Sequence, residues 1–255
     1  MAFDLNNFVI DRIVRGVALS QKDDSVLFSI NQIQNASLNC ASESADAVDA
    51  LGTPIATFYR AKSAEFSAEN ALFDMSLMAT QLGTTKKVAS AASKITVPAM
   101  ETFTVVDGGK YELKHSPKVV PTEIYALNGD STFGTKYAKA TSASASEFSI
   151  ADKTISLPLG VTAGTDMFVM YEYETENAVE VVNSATEFPT GCKFVMEVLG
   201  CDVCDQTNLI YAYVIFNNFK LSPDFDWSVA TDGAHPFSGK AQQDLKCRSL
   251  VAQAA

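Results

Sequence analysis

Four of the five cysteines are the side chains in this sequence best suited to bind a metal ion. Cys201 and Cys204 form a CxxC pair, and Cys192 and Cys247 could complete a four-thiolate zinc site if the fold brought them together. A second close pair, which zinc signatures of this kind contain, is missing. The simpler interpretation is that GCDVCDQTN is the loop of a hairpin between the strands KFVMEVL and LIYAYVIF.

The other motifs that could do chemistry each lack an essential feature. His115 and His235 lie outside any GxSxG or HExxH frame, and we interpret them as satisfied turn or surface histidines. Residues 129–136, GDSTFGTK, resemble a phosphate loop, but Thr135 separates the second glycine from the lysine and no helix follows. The acids of PDFDW and SESADAVD lack calcium-loop spacing. We therefore expect no enzyme activity and no cofactor.

The composition indicates a folded protein that does not bind nucleic acid directly. The 255 residues are 47% hydrophobic and 19% charged, which is a globular balance. The formal net charge of −11 argues against direct binding to phosphates. The N-terminus lacks the uninterrupted apolar segment of a signal peptide. The sequence contains no run of 18 apolar residues, the length needed to span a bilayer. The cysteines are odd in number and scattered along the chain, which favours synthesis in a reducing cytoplasm.

The N-terminal third predicts strands followed by a single helix. IVRGVAL and VLFSINQI flank a polar turn and predict a β-hairpin whose second strand ends near Leu38. Residues 40–54 predict a long exposed connection, and IATFYRA predicts the next strand. The helix that follows is expected to have Ser67 as its N-cap and Gly83 as its stop. Its apolar stripe, which should pack on a sheet, is Leu72, Met75, Met78, Ala79 and Leu82.

The rest of the chain predicts an insertion into a host domain. Residues 84–94 are expected to be a linker, and residues 96–176 contain short strand candidates at the spacing of a small sandwich. Longer strands return afterwards, and LIYAYVIF is apolar enough to be central in a sheet. We therefore predict a discontinuous β domain, residues 1–95 and 177–255, with an inserted β-sandwich at 96–176. The overall fold class is mainly β.

Several segments together resemble the tail tube (major tail) proteins of long-tailed bacteriophages. The resemblance lies in VLFSINQIQNASLNC, GTPIATFYRAKSAEF, ENALFDMSLMATQLG and NNFKLSPDFDWSVATDGAHPFSGKAQQDL. It covers both outer segments, and its motifs are patterns of strand, loop and helix, not catalytic residues. The middle section, residues 96–176, exceeds the minimal fold of that family. It could be an outward-facing immunoglobulin-like domain or part of the ring contacts.

The resemblance implies a structural virion protein. It implies a β-sandwich or barrel-like fold flanked by one helix, assembled as hexameric rings that stack into a hollow tube conducting DNA from the capsid to the host. The partners would be other copies of the chain, the tape measure, the tail terminator and the baseplate, with DNA passing through unbound and no membrane contact. The family's inter-ring loop corresponds to residues 40–54, and its candidate contact residues are Ser42, Glu43, Ser44, Asp46, Asp49 and Leu51.

Two other classes of β protein stay open from the sequence. A capsid decoration or head-associated protein would suit the middle section, but it gives no reason for the long acidic loop. A carbohydrate-binding or receptor-binding module would expose aromatic platforms for sugars, whereas the single tryptophan, Trp227, lies in a strand-like segment and is expected in the core.

Overall fold

The structure is a computed structural model that describes residues 7–107, 109–203, 205–224, 233–242 and 250–254. The chain divides into two compact units, which we call the outer unit, Met1–Lys86 with Val181–Ala255, and the inserted unit, Lys87–Glu180. The sequence placed the ends of the insertion at 96 and 176, and its independent folding stays a prediction. Trp227 lies outside the described residues.

The described elements confirm a mainly β fold with a single helix. In chain order they are β1 Phe8–Ser20, β2 Val26–Ile30, β3 Ile33–Val48, β4 Pro54–Asn70, α1 Met75–Leu82, β5 Lys87–Val88, β6 Ile95–Thr104, β7 Lys110–Glu112, β8 Glu123–Leu127, β9 Phe133–Lys139, β10 Glu147–Ala151, β11 Thr154–Ser156, β12 Asp166–Thr175, β13 Val179–Glu180, β14 Cys192–Asp202, β15 Asp205–Leu221, β16 His235–Ala241 and β17 Leu250–Ala254.

The outer unit is built on one large sheet with the order β2-β1-β14-β15-β16-β4-β3, and β17 also pairs with β15. The apolar segment LIYAYVIF lies in β15, where it pairs with β14 on one side and with β17 on the other, so its predicted central position is confirmed. One face of this sheet carries a phenylalanine-rich core, to which the helix adds Leu77. The buried rings of that core are Phe28, Phe66, Phe194, Phe216, Phe219 and Phe237.

The N-terminal hairpin forms as predicted, but its second strand is shorter. β1 pairs with β2 in antiparallel register, with Gly16 opposite Ile30. The strand that was expected to run to Leu38 breaks after Ile30, and Leu38 belongs to β3 instead. The predicted loop of residues 40–54 is also wrong, because β3 continues to Val48 and β4 begins at Pro54.

The helix begins later than the sequence indicated. Ser67 lies inside β4, and the N-cap is Asp74, whose carboxylate accepts hydrogen bonds from the backbone N–H groups of Ser76 (2.9 Å) and Leu77 (2.7 Å). Leu72 precedes the helix and is 60% exposed, so its assignment to the packing stripe is wrong. The extension of β4 to Asn70 consumes residues that the periodicity assigned to the first helical turn.

The packing face of the helix runs from Leu77 to its C-terminal end. Leu77, Ala79 and Leu82 are buried, while Met75 and Met78 are half-buried. Gly83 ends the helix as predicted, with a φ of 72° in the left-handed region. A Cβ at this position would lie 2.3 Å from the backbone carbonyl of Phe188, so glycine is required for its size as well as its conformation.

His235 connects the helix to β16 and is buried, in contrast to the surface position that we expected. Its Nδ1 accepts from the backbone N–H of Asp74 at 3.4 Å, so its Nε2–H donates to Oε1 of Gln81 at 2.8 Å. The ring also stacks on Phe73, with centroids 4.9 Å apart. Burial lowers the pKa of His235, although the nearby Asp74 charge acts in the opposite direction. The folded protein therefore holds a neutral histidine here.

We expect the outer unit to lose stability as the pH falls below about 6.5, the usual pKa of histidine. The unfolded chain then binds a proton that buried His235 does not accept, so acid favours unfolding. Thermal unfolding measured between pH 5 and pH 7.5 should show this decline. In His235→Gln the decline should be much smaller. An equal decline in the variant would assign the effect to other groups.

The inserted unit contains a second sheet with the order β6-β12-β8-β9-β10-β11-β7, and a short ladder in which β5 pairs with β13. The sheet folds over itself, since Phe103 of β6 stacks on Tyr111 of β7 with centroids 3.6 Å apart. Its core includes Ile124, Phe148 and Ile155, together with Met167, Val169 and Tyr171 from β12. Met167, Val169 and Tyr171 alternate along MFVMYEYET, so they form the buried face of this strand. The sequence alone did not show which face is buried.

Glu101 is a buried carboxylate within the inserted unit. Its Oε2 accepts from the Tyr111 hydroxyl at 2.7 Å, and its Oε1 accepts from the Tyr171 hydroxyl and from the backbone N–H of Lys114 at 3.1 Å. Burial opposes ionisation, but these hydrogen bonds outweigh it and lower the pKa of Glu101. Burial and the same carboxylate raise the pKa of Tyr111 to about 12. The network therefore holds an ionised glutamate against neutral tyrosines.

Glu101→Gln should destabilise the inserted unit by about 1–3 kcal/mol, because an amide cannot accept all three hydrogen bonds at full strength. Chemical denaturation followed by tyrosine fluorescence measures this change. Glu172→Gln is the matched control, since Glu172 is exposed, and it should shift the transition by less than about 0.5 kcal/mol. Equal shifts in both variants would contradict the assigned role of Glu101.

Candidate assembly surface

The most unusual feature of the outer unit is a long hairpin whose outer part has no buried face. β3 and β4 pair in antiparallel register from Ile33 opposite Asn70 to Val48 opposite Pro54. Every residue from 34 to 63 is exposed, and we call this segment the hairpin arm. At about 3.3 Å per residue, the ten residues of β4 within it extend about 33 Å. A two-stranded hairpin without further packing is marginally stable in water.

The sequence shows where the arm leaves the body. At the end of β4, Phe66, Ala68 and Asn70 alternate as buried residues on the core side of the sheet. β16 pairs with β4 over the same stretch, from Ala64 to Asn70. Before Ala64, no pairing in the described part of the chain involves β4 except that with β3. Both outer edges of the arm are therefore free among the described strands.

Three irregularities interrupt the ladder of the arm. The pairing register shifts between Gln34 and Ser37, between Ser42 and Glu43, and near the turn between Ala47 and Val48. Asn35 and Ala61, which are the extra residues at the first two shifts, have positive φ values of 52° and 46°. β-Bulges of this kind increase twist and re-aim a strand. The first two lie at the base and in the middle of the arm, where they set its direction.

Side chains alternate between two faces of the arm, and both faces carry large aromatic residues. Tyr59 lies opposite Ser44 on the continuation of the core-facing side, and it is 73% exposed. Phe58 lies opposite Ala45 on the other side, and it is 56% exposed. Near the turn, Ile55 and Leu51 are more exposed than most apolar side chains. Apolar surface on both sides is typical of a segment inserted between neighbouring molecules.

The turn at the end of the arm is held by Asp49. Its Oδ1 accepts from the backbone N–H groups of Leu51 at 2.8 Å and Thr53 at 2.9 Å, and these bonds lower the pKa of Asp49. Gly52 supplies the positive φ of 84° that the turn requires. Asp49 was predicted as a contact residue, but its carboxylate is engaged within the turn, whereas Leu51 projects beyond it with 91% of its surface exposed.

The remaining predicted contact residues lie on β3, not on a loop. Ser42, Ser44 and Asp46 share the face that carries Tyr59, while Glu43 lies on the opposite face, in register with Arg60. Sequence reasoning assigned Phe58 and Tyr59 to a strand and did not include them in the site. A signal was present, because adjacent residues of a strand point to opposite faces, so two consecutive aromatic residues cannot both enter one core.

The cysteines do not form the zinc site that their types allowed. Cys192 and Cys201 lie nine residues apart on the same strand, β14, which separates them by about 30 Å. Cys192 is buried, its Sγ donates to the carbonyl of Phe219 at 3.3 Å, and burial raises its pKa to about 11. Cys204 and Cys247 lie outside the described residues. Among the residues that are described, no cluster of three potential ligands is present.

The predicted hairpin is confirmed, since β14 and β15 pair in antiparallel register, but its predicted loop is too long. The strands continue to Asp202 and from Asp205, so most of GCDVCDQTN is strand. The phosphate-loop motif is a turn that leads into a strand, because β9 begins at Phe133. Within the described ranges, no helix has the length and apolar character needed to cross a membrane.

The described part of the chain is mainly β and carries an exposed two-stranded arm with apolar side chains on both faces. The sequence matches the model of the YomU/Tube protein family over residues 8–246. The chain therefore belongs to this family of phage-type tube proteins. No curated protein matches it significantly.

Proposed function

We propose that this protein is the major tail tube subunit of a long-tailed bacteriophage, assembling into hexameric rings that stack into a hollow tube. The family supports a structural tube protein and a virion component. The observation that carries the finer proposal is the hairpin arm, which exposes apolar side chains on both faces and free edges on both strands. Such a surface is stable in water when other subunits cover it.

In this mechanism the arm of one subunit lies between two neighbours. Phe58 contacts one neighbour and Tyr59 the other, while the free strand edges pair with edges of adjacent subunits. Closed ring symmetry repeats the same pair of contacts, so a few side chains per subunit stabilise the whole assembly. Leu51, at the end of the arm, is placed to enter the next ring of the stack.

The net charge suits a conduit for DNA. Each subunit contributes a formal charge of −11, and acids that line the bore would repel the phosphates of the genome as it moves. The tube then conducts DNA from capsid to host without binding it. Replacing lumen-facing acids with lysine should slow DNA ejection, and unchanged ejection kinetics would refute this part of the mechanism.

The proposed partners follow from this position in the virion. The tube would surround the tape measure, contact the baseplate at one end and meet the tail terminator at the other. The protein would be made in the host cytoplasm and would function in the phage tail. No enzymatic step is assigned to it.

Electron microscopy of the purified protein, first concentrated and then diluted, tests the proposal. Stacked rings with a central bore and six subunits per ring are the expected result. Binding of separate subunits to empty capsids, without tubes, would instead favour a decoration protein. Monomers that form no tubes even with a tail initiator complex would overturn the tube assignment.

A further inference from the structure

The outer face of the sheet in the inserted unit carries a row of side chains that its core does not use. Backbone pairing places Thr102, Phe168, Tyr125 and Lys136 side by side across β6, β12, β8 and β9. The neighbours of Phe168 in β12 are fully buried. Side chains alternate along a strand, so Phe168 points away from the core.

Aromatic rings gather at the centre of this row. Phe133, which is 59% exposed, lies with its ring centroid 5.1 Å from that of Tyr125 and 5.1 Å from that of Phe168. Beside them, Met100 stands opposite Met170, and Met100 is 66% exposed. We call these five side chains the aromatic face. Phe133, Met100 and Met170 are exposed, while Tyr125 and Phe168 are half-buried beneath them. Apolar side chains grouped in this way on a surface often mark a binding site.

A fixed polar pair borders the aromatic face. Nζ of Lys136 lies 3.0 Å from Oε2 of Glu123, and the Tyr125 hydroxyl donates to Oε1 of the same glutamate. Both charged side chains remain about half exposed. Their mutual contacts hold donors and acceptors in place beside the rings, where they can meet hydroxyl groups of a ligand.

We propose that the aromatic face binds a neutral glycan. Sugar rings would lie on Phe133 and Phe168, because the negative face of an aromatic ring attracts the weakly positive C–H groups of a pyranose. Sugar hydroxyls would hydrogen-bond to Glu123 and Lys136. Strands are spaced by about 4.8 Å, so the distance from Phe168 to Lys136 is about 10 Å, enough for about two sugar units.

The polar border favours a sugar over a protein partner. A protein docking on these rings would remove the Glu123–Lys136 pair from water, and the desolvation of both charges opposes such binding. Sugar hydroxyls and bridging waters instead replace the lost hydrogen bonds. The inserted unit contains twelve acids and eight lysines, which disfavours an acidic polysaccharide.

Binding to neutral oligosaccharides tests the proposal in the full-length protein. The probes are immobilised hexamers of β-1,4-glucose, α-1,4-glucose, β-1,4-galactose and β-1,4-N-acetylglucosamine, with polygalacturonate as the acidic comparison. We expect retention on at least one neutral hexamer and none on the acidic polymer. Retention on none of the neutral probes overturns the proposal. The assay uses separate subunits, kept below the concentration at which tubes form, so failure of this proposal and failure of the tube proposal are distinguishable.

Three variants distinguish glycan binding through aromatic stacking from nonspecific hydrophobic binding. Phe133→Leu keeps an apolar side chain but removes the ring, and it should weaken binding about tenfold. Lys136→Gln should weaken it several-fold. Leu159→Ser, at an exposed position outside the aromatic face, should leave binding unchanged. Thermal unfolding of each variant checks the fold.

Two outcomes would assign the aromatic face differently. Equal glycan binding by the wild type and Phe133→Leu would place the sugar elsewhere and overturn the proposal. Loss of self-association in Phe133→Ser, without glycan binding by the wild type, would make the face a contact between copies of the chain and would also overturn it.

Discussion

A variant with Ile55→Asp and Phe58→Asp in the hairpin arm is expected to remain folded and to lose tube formation. Both side chains are exposed in the single chain, so their replacement removes no buried contact of the described fold. In the proposed assembly both become buried between subunits, and each contributes about 1.5–3 kcal/mol to association. Losing both should raise the concentration needed for assembly by at least about a hundredfold.

Sedimentation and electron microscopy across a concentration series measure this change. The matched control carries Val182→Asp and Phe188→Asp, which adds the same charge at exposed apolar positions of the outer unit beyond the arm. The control should form tubes at the wild-type concentration. Normal tubes from the arm variant would show that the arm does not hold the assembly together, while loss of tubes in both variants would indicate a general effect of charge.

The unfolding transition of the arm variant must match that of the wild type for this conclusion. Surface substitutions usually change stability by less than about 0.5 kcal/mol. A fall in stability comparable to that of a core mutation would mean that Ile55 or Phe58 supports the single chain. The two experiments together therefore distinguish a defect of assembly from a defect of folding.

The strands of the outer unit were predictable because their local pattern agrees with their environment. LIYAYVIF is apolar throughout and lies in the centre of its sheet. The N-terminal hairpin also followed directly from β-branched runs on either side of a polar turn. In these segments burial and strand preference indicate the same structure.

The strand conformation of the hairpin arm was not predicted because its sequence lacks the alternation of apolar and polar residues that marks a half-buried strand. CASESADAVD contains small and acidic residues, which are typical of loops, and nothing in it alternates between an apolar and a polar face. Strand formation here depends on pairing with IATFYRA across the turn at Asp49, and the composition of CASESADAVD alone does not show that partner. Local reasoning therefore found an exposed functional segment but not its conformation.

Buried polar groups were equally hidden. Glu101 and His235 are buried, whereas sequence-based prediction places charged and polar residues on the surface by default. Their burial depends on partners from elsewhere in the chain, such as Tyr171 for Glu101 and Gln81 for His235. Alternation with Phe103 offered one signal for Glu101, because residues two apart share a face.

Phe194→Ala should destabilise the outer unit by about 3–5 kcal/mol, the largest effect that we expect from a single substitution in this chain. The Phe194 side chain is fully buried, and its ring lies 5.3–6.4 Å from five other phenylalanine rings. Those rings come from β2, β4, β15 and β16. The cavity left by the substitution would therefore weaken the packing of four other strands of the sheet. The matched control, Phe188→Ala, removes an exposed ring and should change stability by less than about 0.5 kcal/mol.

The same measurement tests whether the inserted unit folds independently. Urea unfolding of Phe194→Ala should shift the transition of the outer unit and leave that of the inserted unit, identified with Glu101→Gln, where it is in the wild type. If the entire chain unfolds in one transition that moves with either substitution, the two units are coupled and the predicted insertion is not an autonomous domain. A destabilisation below about 1 kcal/mol would instead show that the phenylalanine core closes around the cavity, contrary to the tight packing that the ring distances indicate.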